Sequence, residues 1–554
     1  MDATPESFDY DWLIVGSGFG GSVSSLRLAE KGYSVGVLEC GRRFADDELP
    51  SSTGDLKRYF WNPRLGMKGI FRLTTFRDVS VVSGCGVGGG SLGYANTLYV
   101  PPKKFFEDRQ WADVNDDWES ALAPHYAEAQ RMLGVVQNPH EDPADQLLRE
   151  LGEELGVGDT YQRTPVGVFF GGVGGAGITV PDPFFGGEGP DRTGCQLCGR
   201  CMVGCPHGAK NTLVKNYLYL AEKRGARVMA ERTVIDVRPL GSGSGEDGYE
   251  VESVRSGAWL RKDRQVHRAR GVVVAAGPLG TNRLLALCRS KGSLGRISSR
   301  LGELVRTNSE SILAVTVPED YPDDLVKRVA ITSSIYPDPN THIETVTYGD
   351  RGDSMRLLNT LLVGDGTRVT RPLKLVGQIL AHPRRLAEVL FSKHWSRRTI
   401  IVLVMQTLDN AIALRPHKGP FGSFWLKTEQ DPERPNPTFI PIANQTAEWL
   451  AKRTGGVAQS SATEALFNIP TTAHILGGAV IASDPARGVI DANQRVFGYE
   501  NLLVCDGSAI PANVGVNPSL TITALAEHAM SHVPPAGASA VETNDAEPAS
   551  AAAA

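Results

Sequence analysis

Four of the eight cysteines of this 554-residue chain lie within the segment CQLCGRCMVGCP. Cys195, Cys198, Cys201 and Cys205 are spaced C-x2-C-x2-C-x3-C and are followed by Pro206. Bacterial ferredoxins hold iron–sulfur clusters through thiolates with this spacing, so the segment predicts a metal site, with [4Fe–4S] as the first candidate. In two-cluster ferredoxins the fourth cysteine of such a run serves the other cluster, and only one run is present here. A structural loop with inert buried thiols therefore stays open as the alternative.

A glycine pattern near the N-terminus points to a nucleotide. In FDYDWLIVGSGFGG, Gly16, Gly18 and Gly21 form G-x-G-x-x-G directly after an apolar run and open a helical segment. Glu39 ends the next strand, at the distance where an acidic residue accepts from a ribose hydroxyl. The pattern predicts a dinucleotide whose pyrophosphate lies on the helix N-terminus, without deciding between NAD and FAD. Residues 81–97 are too rich in glycine for regular structure and predict a loop that forms a wall of this site.

Composition narrows the class of protein. The chain is 41% hydrophobic, which is enough for a large core, and its net charge of −5 argues against a nucleic-acid partner. No positively charged leader with an apolar core precedes the first strand, and no apolar run approaches the length of a membrane span. We therefore expect a soluble, cytoplasmic protein with reduced thiols.

The secondary-structure pattern indicates how these residues are positioned. Strand, helix and strand up to Glu39 fit one βαβ unit, and residues 226–270 alternate like an antiparallel meander before the chain returns to a parallel sheet at 272–276. Residues 305–465 contain many prolines and lack the glycine punctuation of the first part. We predict an α/β fold in which a Rossmann-like cofactor domain with an inserted antiparallel meander is joined to a mixed α+β substrate-binding domain.

Predicted domain boundaries follow from these changes in pattern. The C-terminal GASAVETNDAEPASAAAA has little to bury and predicts a disordered tail. The segments are 8–315 for the cofactor domain, with part of the substrate lobe inserted at about 105–190; 316–464 for the substrate domain; 465–534 for the C-terminal part of the cofactor domain with catalytic residues; and 535–554 for the tail.

The C-terminal segments TAHILGGAVI and NLLVCDGSAIPANVGVNPSLTITALAEHAM complete a family pattern. Together with the N-terminal glycines and GCGVGGGSLGYAN, they resemble the glucose-methanol-choline (GMC) oxidoreductases over about residues 8–532, and most closely the branch of bacterial cholesterol oxidases. The resemblance implies the GMC fold and FAD rather than NAD. The choline-oxidising branch attaches FAD through a histidine in the glycine-rich loop, and GGGSLGYAN has none, so we expect non-covalent FAD. The implied cofactor contacts are Gly16, Gly18, Gly21, Glu39, Gly88, Gly89, Ser91, Asn96, Asp506 and Gly507.

Three catalytic positions are implied by the same resemblance. His474 matches the active-site histidine, which takes or orders the hydroxyl proton, and Asn517 matches the asparagine that donates to the substrate oxygen. Glu344 in THIETV matches the glutamate that moves a steroid-ring proton, and Glu310 is an alternative match. The structural alternatives are a hydrogen-bonded core histidine, an Asn-Pro turn and a solvated strand glutamate.

A basic and apolar stretch lies at 368–398. It contains eight Lys or Arg against one Glu, interleaved with Leu, Val, Ile, Phe and Trp. Such a segment predicts peripheral contact with an anionic membrane, and an amphipathic segment packed on the lobe with solvated charges is the alternative.

Our leading hypothesis is FAD-dependent oxidation of a secondary alcohol on a bulky apolar substrate, a 3β-hydroxysteroid such as cholesterol. Hydride would pass to flavin N5, Glu344 would assist isomerisation to the 4-en-3-one, and oxygen would reoxidise the flavin. A dehydrogenase of long-chain or other alcohols that passes electrons to a carrier is the first alternative. A non-catalytic flavin protein for electron transfer or redox sensing is the second.

Overall fold

A seven-stranded first sheet carries the N-terminal βαβ unit. The computed structural model describes residues 7–538. In the first sheet the strand Gln265–Val274 is central: one of its edges pairs in parallel with Tyr10–Val15, while the other is shared by the meander and by Leu502–Val504. The Rossmann-like sheet with an antiparallel meander is therefore present as predicted. Its strands are, in spatial order, Arg227–Met229, Val35–Leu38, Tyr10–Val15, Gln265–Val274, Tyr249–Arg255 and Arg232–Pro239, with Leu502–Val504 paired to Gln265–Val274.

Helices bury this sheet because its central strands are apolar on both faces. Leu13, Ile14 and Val272 are fully buried. The helix Phe19–Glu30 packs against the C-terminal helix Ser519–Ser531. The other helices that pack around this sheet are Trp118–Met132, Tyr217–Lys223 and Gly277–Lys291.

A second sheet of seven antiparallel strands forms the substrate lobe. In Thr399–Gln406, one set of alternate side chains packs under the helices Pro143–Glu154 and Pro441–Thr454, while Ile401, Leu403 and Met405 point to the opposite face. One face of this sheet is thus closed by helices, and the other forms an apolar wall. Its strands are, in spatial order, Asn359–Leu361, Val457–Ser461, Ser311–Thr316, Thr399–Gln406, Thr341–Val346, Ile331–Asp338 and Gln162–Arg163.

The predicted boundary at residue 315 falls within the strand Ser311–Thr316, which belongs to the second sheet. Of the segment predicted as inserted, the helix Trp118–Met132 packs on the C-terminal helix of the first domain, whereas Pro143–Glu154 covers the second sheet. Residues 539–554 of the predicted tail lie outside the described residues, and Ala536 donates its amide to Lys31 O at 2.9 Å.

No helix within residues 7–538 is both long and apolar enough to cross a bilayer.

Smaller elements connect the two sheets. A four-stranded sheet contains Phe424–Gln430, Ile412–Lys418, Glu303–Arg306 and Leu476–Gly478, and a three-stranded sheet contains Thr471–Thr472, Ser80–Gly84 and Phe71–Thr75. The remaining helices of four or more residues with α geometry are Leu56–Tyr59, Lys103–Phe106, Thr370–Ala381, Pro383–Phe391 and Ala462–Phe467.

Candidate active site

The first glycine turn leaves space for a phosphate at the start of a helix. Gly16 has φ +102°, and a Cβ there would lie 2.3 Å from Ala275 O, so only glycine fits. A Cβ on Gly21 would lie 2.1 Å from Gly16 O, whereas a Cβ on Gly18 would meet nothing within 4 Å. The helix Phe19–Glu30 has no side-chain N-cap and no acidic residue in its first turn. The turn therefore offers open space and free N–H groups to an anion.

Glu39 ties the end of the second strand to this turn. Its carboxylate accepts from Ser17 N at 3.0 Å, Ser17 Oγ at 2.7 Å and Gly41 N at 2.8 Å. Cys40 Sγ lies 3.4 Å from Glu39 Oε1 and makes a fourth, weak contact with the carboxylate. The predicted hydrogen bond from a ribose hydroxyl to Glu39 stays a prediction, and it would replace the contact with Cys40.

The glycine-rich loop is packed directly on the turn. Gly88 N donates to Ser17 Oγ at 3.1 Å, and a Cβ on Gly89 would lie 2.6 Å from Gly18 Cα. Ser91 is fully buried and donates from Oγ to Gly88 O at 2.7 Å. Ser91 thus holds the loop from within, and the two glycine segments form adjacent walls of one site.

Asn96 closes the same loop with unused hydrogen-bonding groups. Its backbone is left-handed, with φ 71°, and the side chain is fully buried. Neither its amide oxygen nor its amide nitrogen has a hydrogen-bond partner among the described residues. Buried polar groups are normally paired, so Asn96 is suited to a bound ligand. With the open space at Gly18 and the uncapped helix, this arrangement fits a dinucleotide such as FAD.

Asp506 and Gly507 join the C-terminal segment to the site. The Asp506 carboxylate accepts from Ser508 N at 2.8 Å and from Thr281 Oγ1 at 2.5 Å, and burial raises its pKa. A Cβ on Gly507 would lie 2.9 Å from the Leu476 side chain, so the turn packs closely against the strand after His474. The predicted cofactor residues from both ends of the chain therefore converge on the parallel strand ends of the first sheet.

His474 is paired with Glu310. Its Nδ1 is in hydrogen-bond contact with Glu310 Oε1, and Glu310 Oε2 accepts from Ala473 N at 2.8 Å. His474 Nε2 has no partner among the described side chains and backbone groups, and 14% of the side chain is exposed. A carboxylate that accepts from Nδ1–H fixes the ring orientation and tautomer, which leaves the Nε2 lone pair free to accept a proton.

Glu344 is paired with Asn517 on the apolar wall of the second sheet. Asn517 Nδ2 donates to Glu344 Oε2 at 3.4 Å. Glu344 Oε1 and Asn517 Oδ1 are buried without a partner in the part of the chain that the structure describes. The pKa of Glu344 is raised to about 8, mainly by burial; the hydrogen bond from Asn517 lowers it, and the nearby Glu310 carboxylate raises it. The Glu344 carboxyl is therefore largely protonated at neutral pH.

The two pairs share one site. Glu310 precedes the strand Ser311–Thr316, and Asn308 just before it donates from Nδ2 to Val516 O at 3.0 Å and accepts from Gly515 N at 2.7 Å. Asn308 thus holds the loop that carries Asn517 next to the residues that carry Glu310. The structure brings together all three predicted catalytic residues, His474, Asn517 and Glu344.

Two residues of this site, Glu310 as the partner of His474 and His342 beside Glu344, were not identified from the sequence. Glu310 was considered only as an alternative to Glu344, and its contact with His474 spans 164 positions. His342 lies two residues before Glu344 on the same strand and is buried, and both its ring nitrogens lack partners among residues 7–538. Burial lowers its pKa to about 3, so the ring is neutral. The alternation of His342 and Glu344 in THIETV was the available signal, since residues two apart share one face of a strand.

The four clustered cysteines lie together at one cavity. All four thiols are free, and they line a cavity together with Asn96 and several basic residues. No three of these thiols lie within 4.8 Å of one another. In the described residues, the compact group of potential ligand atoms is instead Glu39, Cys40 and Cys85, and Glu39 is already bonded to the backbone there.

Comparisons with known proteins agree with this architecture. Family models described as "GMC oxidoreductase" match residues 189–296 and 425–526. A "Cholesterol oxidase" of Mycobacterium tuberculosis (strain ATCC 25618 / H37Rv) is 53% identical over 536 residues, which cover 96% of this chain and 92% of that protein. A "Cholesterol oxidase" of Acinetobacter baumannii is 47% identical over 534 residues, which cover 96% and 95% of the two chains.

Among solved structures, pyridoxine 4-oxidase from "Mesorbium loti" superposes with a TM-score of 0.59 at 15% identity, covering 94% of this chain and 99% of that chain, and so shows the fold alone. The predicted GMC fold is confirmed. On the family models and on relatives that match nearly its full length, this chain belongs to the GMC oxidoreductase family.

Proposed function

We propose that this chain is an FAD-dependent oxidoreductase that oxidises the secondary 3β-hydroxyl of a steroid such as cholesterol to the ketone. The observation that carries the proposal is the convergence of two polar pairs, Glu310–His474 and Glu344–Asn517, on an otherwise apolar wall. Relatives at 47–53% identity are named cholesterol oxidases, which supports a sterol as substrate and oxygen as electron acceptor.

The wall suits a rigid apolar substrate. Leu403 is the cross-strand neighbour of Glu344, and cross-strand neighbours share a face. Ile401 and Met405 extend this face on either side, and all three are buried. Steroid rings against this wall would bury apolar area. Asn517 Nδ2 donates one N–H to Glu344, and its second N–H can donate to the oxygen of the single substrate hydroxyl.

Proton handling follows from the two pairs. FAD, held non-covalently, supplies the oxidising chemistry by accepting hydride at N5. His474 Nε2 takes the hydroxyl proton, and the Glu310 carboxylate on Nδ1 stabilises the resulting imidazolium. The Asn517 side chain orients the substrate oxygen. This arrangement needs His474 and Glu310 to act as a unit.

Isomerisation to the 4-en-3-one is assigned to Glu344. Moving a double bond into conjugation requires a proton to leave one ring carbon and return to another, so one group must both accept and donate. A carboxyl whose pKa is about 8 is near the working pH and suited to both steps.

The test is anaerobic mixing of purified flavoprotein with cholesterol. Flavin absorption should bleach in the wild type and in His417→Ala, a matched control on the strand Ile412–Lys418. His474→Ala should retain FAD but bleach about 10²–10⁴-fold more slowly, because the hydroxyl proton has no acceptor. Bleaching of His474→Ala at the wild-type rate would remove its assigned role, and a wild type unaffected by cholesterol would point to long-chain or other alcohols.

We also propose that the enzyme acts in the cytoplasm and docks peripherally on anionic membranes. On the helix Thr370–Ala381 and the residue before it, Val369, Leu373, Val376 and Leu380 lie on one face and are 52–77% exposed. Six of the eight basic residues in 368–398 are exposed; Arg371 is buried on Glu464 and Arg398 is partly covered. An exposed apolar face in a segment with many exposed cations fits the interface of an anionic bilayer.

Sedimentation with anionic vesicles tests this docking. A triple variant, Lys374→Gln with Arg384→Gln and Arg385→Gln, should lose most binding, since each basic residue contributes about 1 kcal/mol near the surface. The control removes three exposed lysines elsewhere: Lys57→Gln, Lys327→Gln and Lys452→Gln. Equal binding of the two triple variants would refute docking through this segment, and both should keep their FAD.

A further inference from the structure

The cysteine segment is folded around one point. Leu197, Gly199, Gly204 and Cys205 all have left-handed backbone conformations, with φ between 54° and 111°. Leu197 N donates to Cys195 Sγ at 3.4 Å. The 3-10 helix Arg200–Val203 is followed directly by the left-handed Gly204, and such a right-handed to left-handed succession turns neighbouring backbone N–H groups to one side, an arrangement that accommodates anions. The non-glycine residues Leu197 and Cys205 adopt this conformation at a cost, which requires a compensating interaction.

Two buried cations beside the thiols lack a negative partner. Lys210 is 1% exposed and donates from Nζ only to carbonyl oxygens, those of Leu92 and Cys201 at 2.8 Å and of Tyr94 at 3.2 Å. Arg192 is 2% exposed and its guanidinium contacts backbone carbonyls and the amide oxygen of Asn211.

Within residues 7–538, neither Lys210 nor Arg192 lies within 4.0 Å of a carboxylate. Buried charges are normally paired, so two positive charges at this site call for about two negative charges.

We propose that Cys195, Cys198, Cys201 and Cys205 together hold a [4Fe–4S] cluster. Four thiolates on such a cluster in its oxidised form carry a net charge of about −2, which matches the two unpaired cations. The four cysteines in one short segment, the backbone turns and the charge of the surroundings thus agree on one ligand. Because the chain contains no second run of this kind, Cys205 is assigned to the same cluster as the other three. A loop of inert thiols would leave both cations without a counter-charge.

The thiol spacing favours a cluster over a single zinc ion. Tetrahedral Zn–S bonds of about 2.3 Å would place the sulfurs roughly 3.8 Å apart. No three of these thiols are within 4.8 Å of one another in the structure. The thiols are therefore not arranged as in a closed zinc site with four thiolate ligands.

The site lies beside the predicted flavin wall. Lys210 Nζ joins Cys201 O of the cysteine segment to Leu92 O and Tyr94 O of the glycine-rich loop. Asn96, at the end of that loop, lines the same cavity as the thiols. Cys195, Cys198 and Cys205 are partly exposed, so the site also approaches the protein surface.

The cluster therefore offers a second exit for electrons, a consequence that rests on the proposed function. Oxidation of one hydroxyl to a ketone releases two electrons and two protons, and both electrons are taken up by FAD. Because the cluster carries one electron at a time, they leave in two single-electron steps and reduce two molecules of a one-electron carrier, while the protons pass to water. Oxygen, which takes both electrons from the flavin, remains the competing acceptor.

Metal and sulfide analysis of full-length protein purified without oxygen is the decisive experiment. We expect about four iron atoms and four acid-labile sulfide ions per FAD. We also expect broad absorption at about 400 nm and a paramagnetic signal after reduction with dithionite. Less than about half an iron per FAD, even after anaerobic incubation with iron and sulfide, would overturn the proposal. Zinc in place of iron would overturn it equally.

Variants assign the ligands. Cys198→Ser and Cys205→Ser should lose most of the iron while keeping one FAD per chain, and Cys288→Ala should keep both, because Cys288 is buried in the helix Gly277–Lys291. Iron retained in both serine variants would overturn the assignment. If the serine variants lose FAD through misfolding, the iron-to-FAD ratio of the wild type decides alone.

The test separates this proposal from the function. Dithionite reduces a cluster without any alcohol, so the iron assay does not depend on the substrate. Iron in a protein whose flavin does not respond to cholesterol would support the cluster and rule out the sterol as substrate. Flavin bleaching by cholesterol in a protein free of iron would support the sterol as substrate and rule out the cluster.

Discussion

The cofactor end and the substrate end of this molecule treat their buried carboxyl groups differently. Glu39 in the first sheet accepts from three backbone or hydroxyl donors, and Asp506 is held by Ser508 and Thr281. On the second sheet, Glu344 has one long hydrogen bond and one oxygen without a partner. The carboxylates of the cofactor end are thus hydrogen-bonded by the chain itself, whereas the carboxyl of Glu344 at the substrate end keeps an oxygen without a partner.

This difference separates scaffolding from chemistry. A carboxylate saturated by the chain fixes backbone positions and gains stability from doing so. A buried carboxyl with a free oxygen costs stability, and proteins keep such groups where a ligand or a proton transfer uses them. Variants at the two ends should therefore fail in different ways.

The largest effect on stability is expected from Gly20→Ala, which disrupts the packing of the first helix against the C-terminal segment. A Cβ at Gly20 would lie 1.7 Å from Cys505 O, so the first helix must separate from the C-terminal segment. We expect a loss of more than about 4 kcal/mol of unfolding free energy, or insoluble protein. The control is Gly364→Ala, whose Cβ meets nothing within 4 Å. Denaturant unfolding of both variants measures this, and equal stability would mean that the contact is not retained in solution.

A smaller effect, with a defined pH dependence, is expected from Glu344→Gln. The folded pKa of Glu344 is about 8, above the ordinary value of 4.5, so the folded chain binds a proton that the unfolded chain has released. Stability therefore falls as pH rises from about 4.5 to about 8, and the glutamine variant lacks this loss. Between pH 5 and pH 8 the variant should gain about 2–4 kcal/mol relative to the wild type.

Unfolding midpoints of Glu344→Gln and wild type at four or five pH values measure this gain. Parallel pH curves would show that the carboxyl is solvated and ionised in the folded protein. A crossing of the two curves within this range is compatible with the expected slope, since a neutral amide oxygen accepts from Asn517 Nδ2 less strongly than a carboxylate does.

The smallest effect on the fold is expected from Gly18→Ala, which separates cofactor binding from folding. Its Cβ touches no protein atom within 4 Å and its φ of −71° suits alanine, so the free energy of unfolding of the apoprotein should change by less than about 0.5 kcal/mol. The same methyl group would occupy the space assigned to the pyrophosphate. We expect FAD affinity to fall about tenfold or more, measured by fluorescence titration. Unchanged FAD affinity would show that the pyrophosphate does not bind at this turn.

The cofactor end could be predicted from sequence because its requirements are local. Gly16 and Gly21 are excluded from having a Cβ by atoms of the same βαβ unit or its neighbouring strand. Such constraints recur with fixed spacing, and the resemblance added the DGS turn at Asp506. The Rossmann-like sheet and the meander were predicted from such local patterns, whereas His474 and Asn517 were identified through the family resemblance.

The substrate end depends on tertiary placement that spacing does not encode. His342 and Glu344 alternate with apolar residues as on a solvated strand, and only the position of the second sheet against the first domain buries them. The pairing of Glu310 with His474 joins distant strands, so the sequence left Glu310 and Glu344 as competing matches for one role. The structure gives each a separate partner.

The pairing of the strand Gln265–Val274 with strands from both ends of the chain has a consequence for how the protein folds during synthesis. Its neighbours are Tyr10–Val15, near the start of the chain, and Leu502–Val504, near its end, and Arg27 reaches Glu527 across 500 positions. A nascent chain leaving the ribosome must therefore carry an incomplete nucleotide sheet, with an apolar edge uncovered, until Leu502–Val504 has been synthesised. Flavin capture is then a late event in the folding of each molecule.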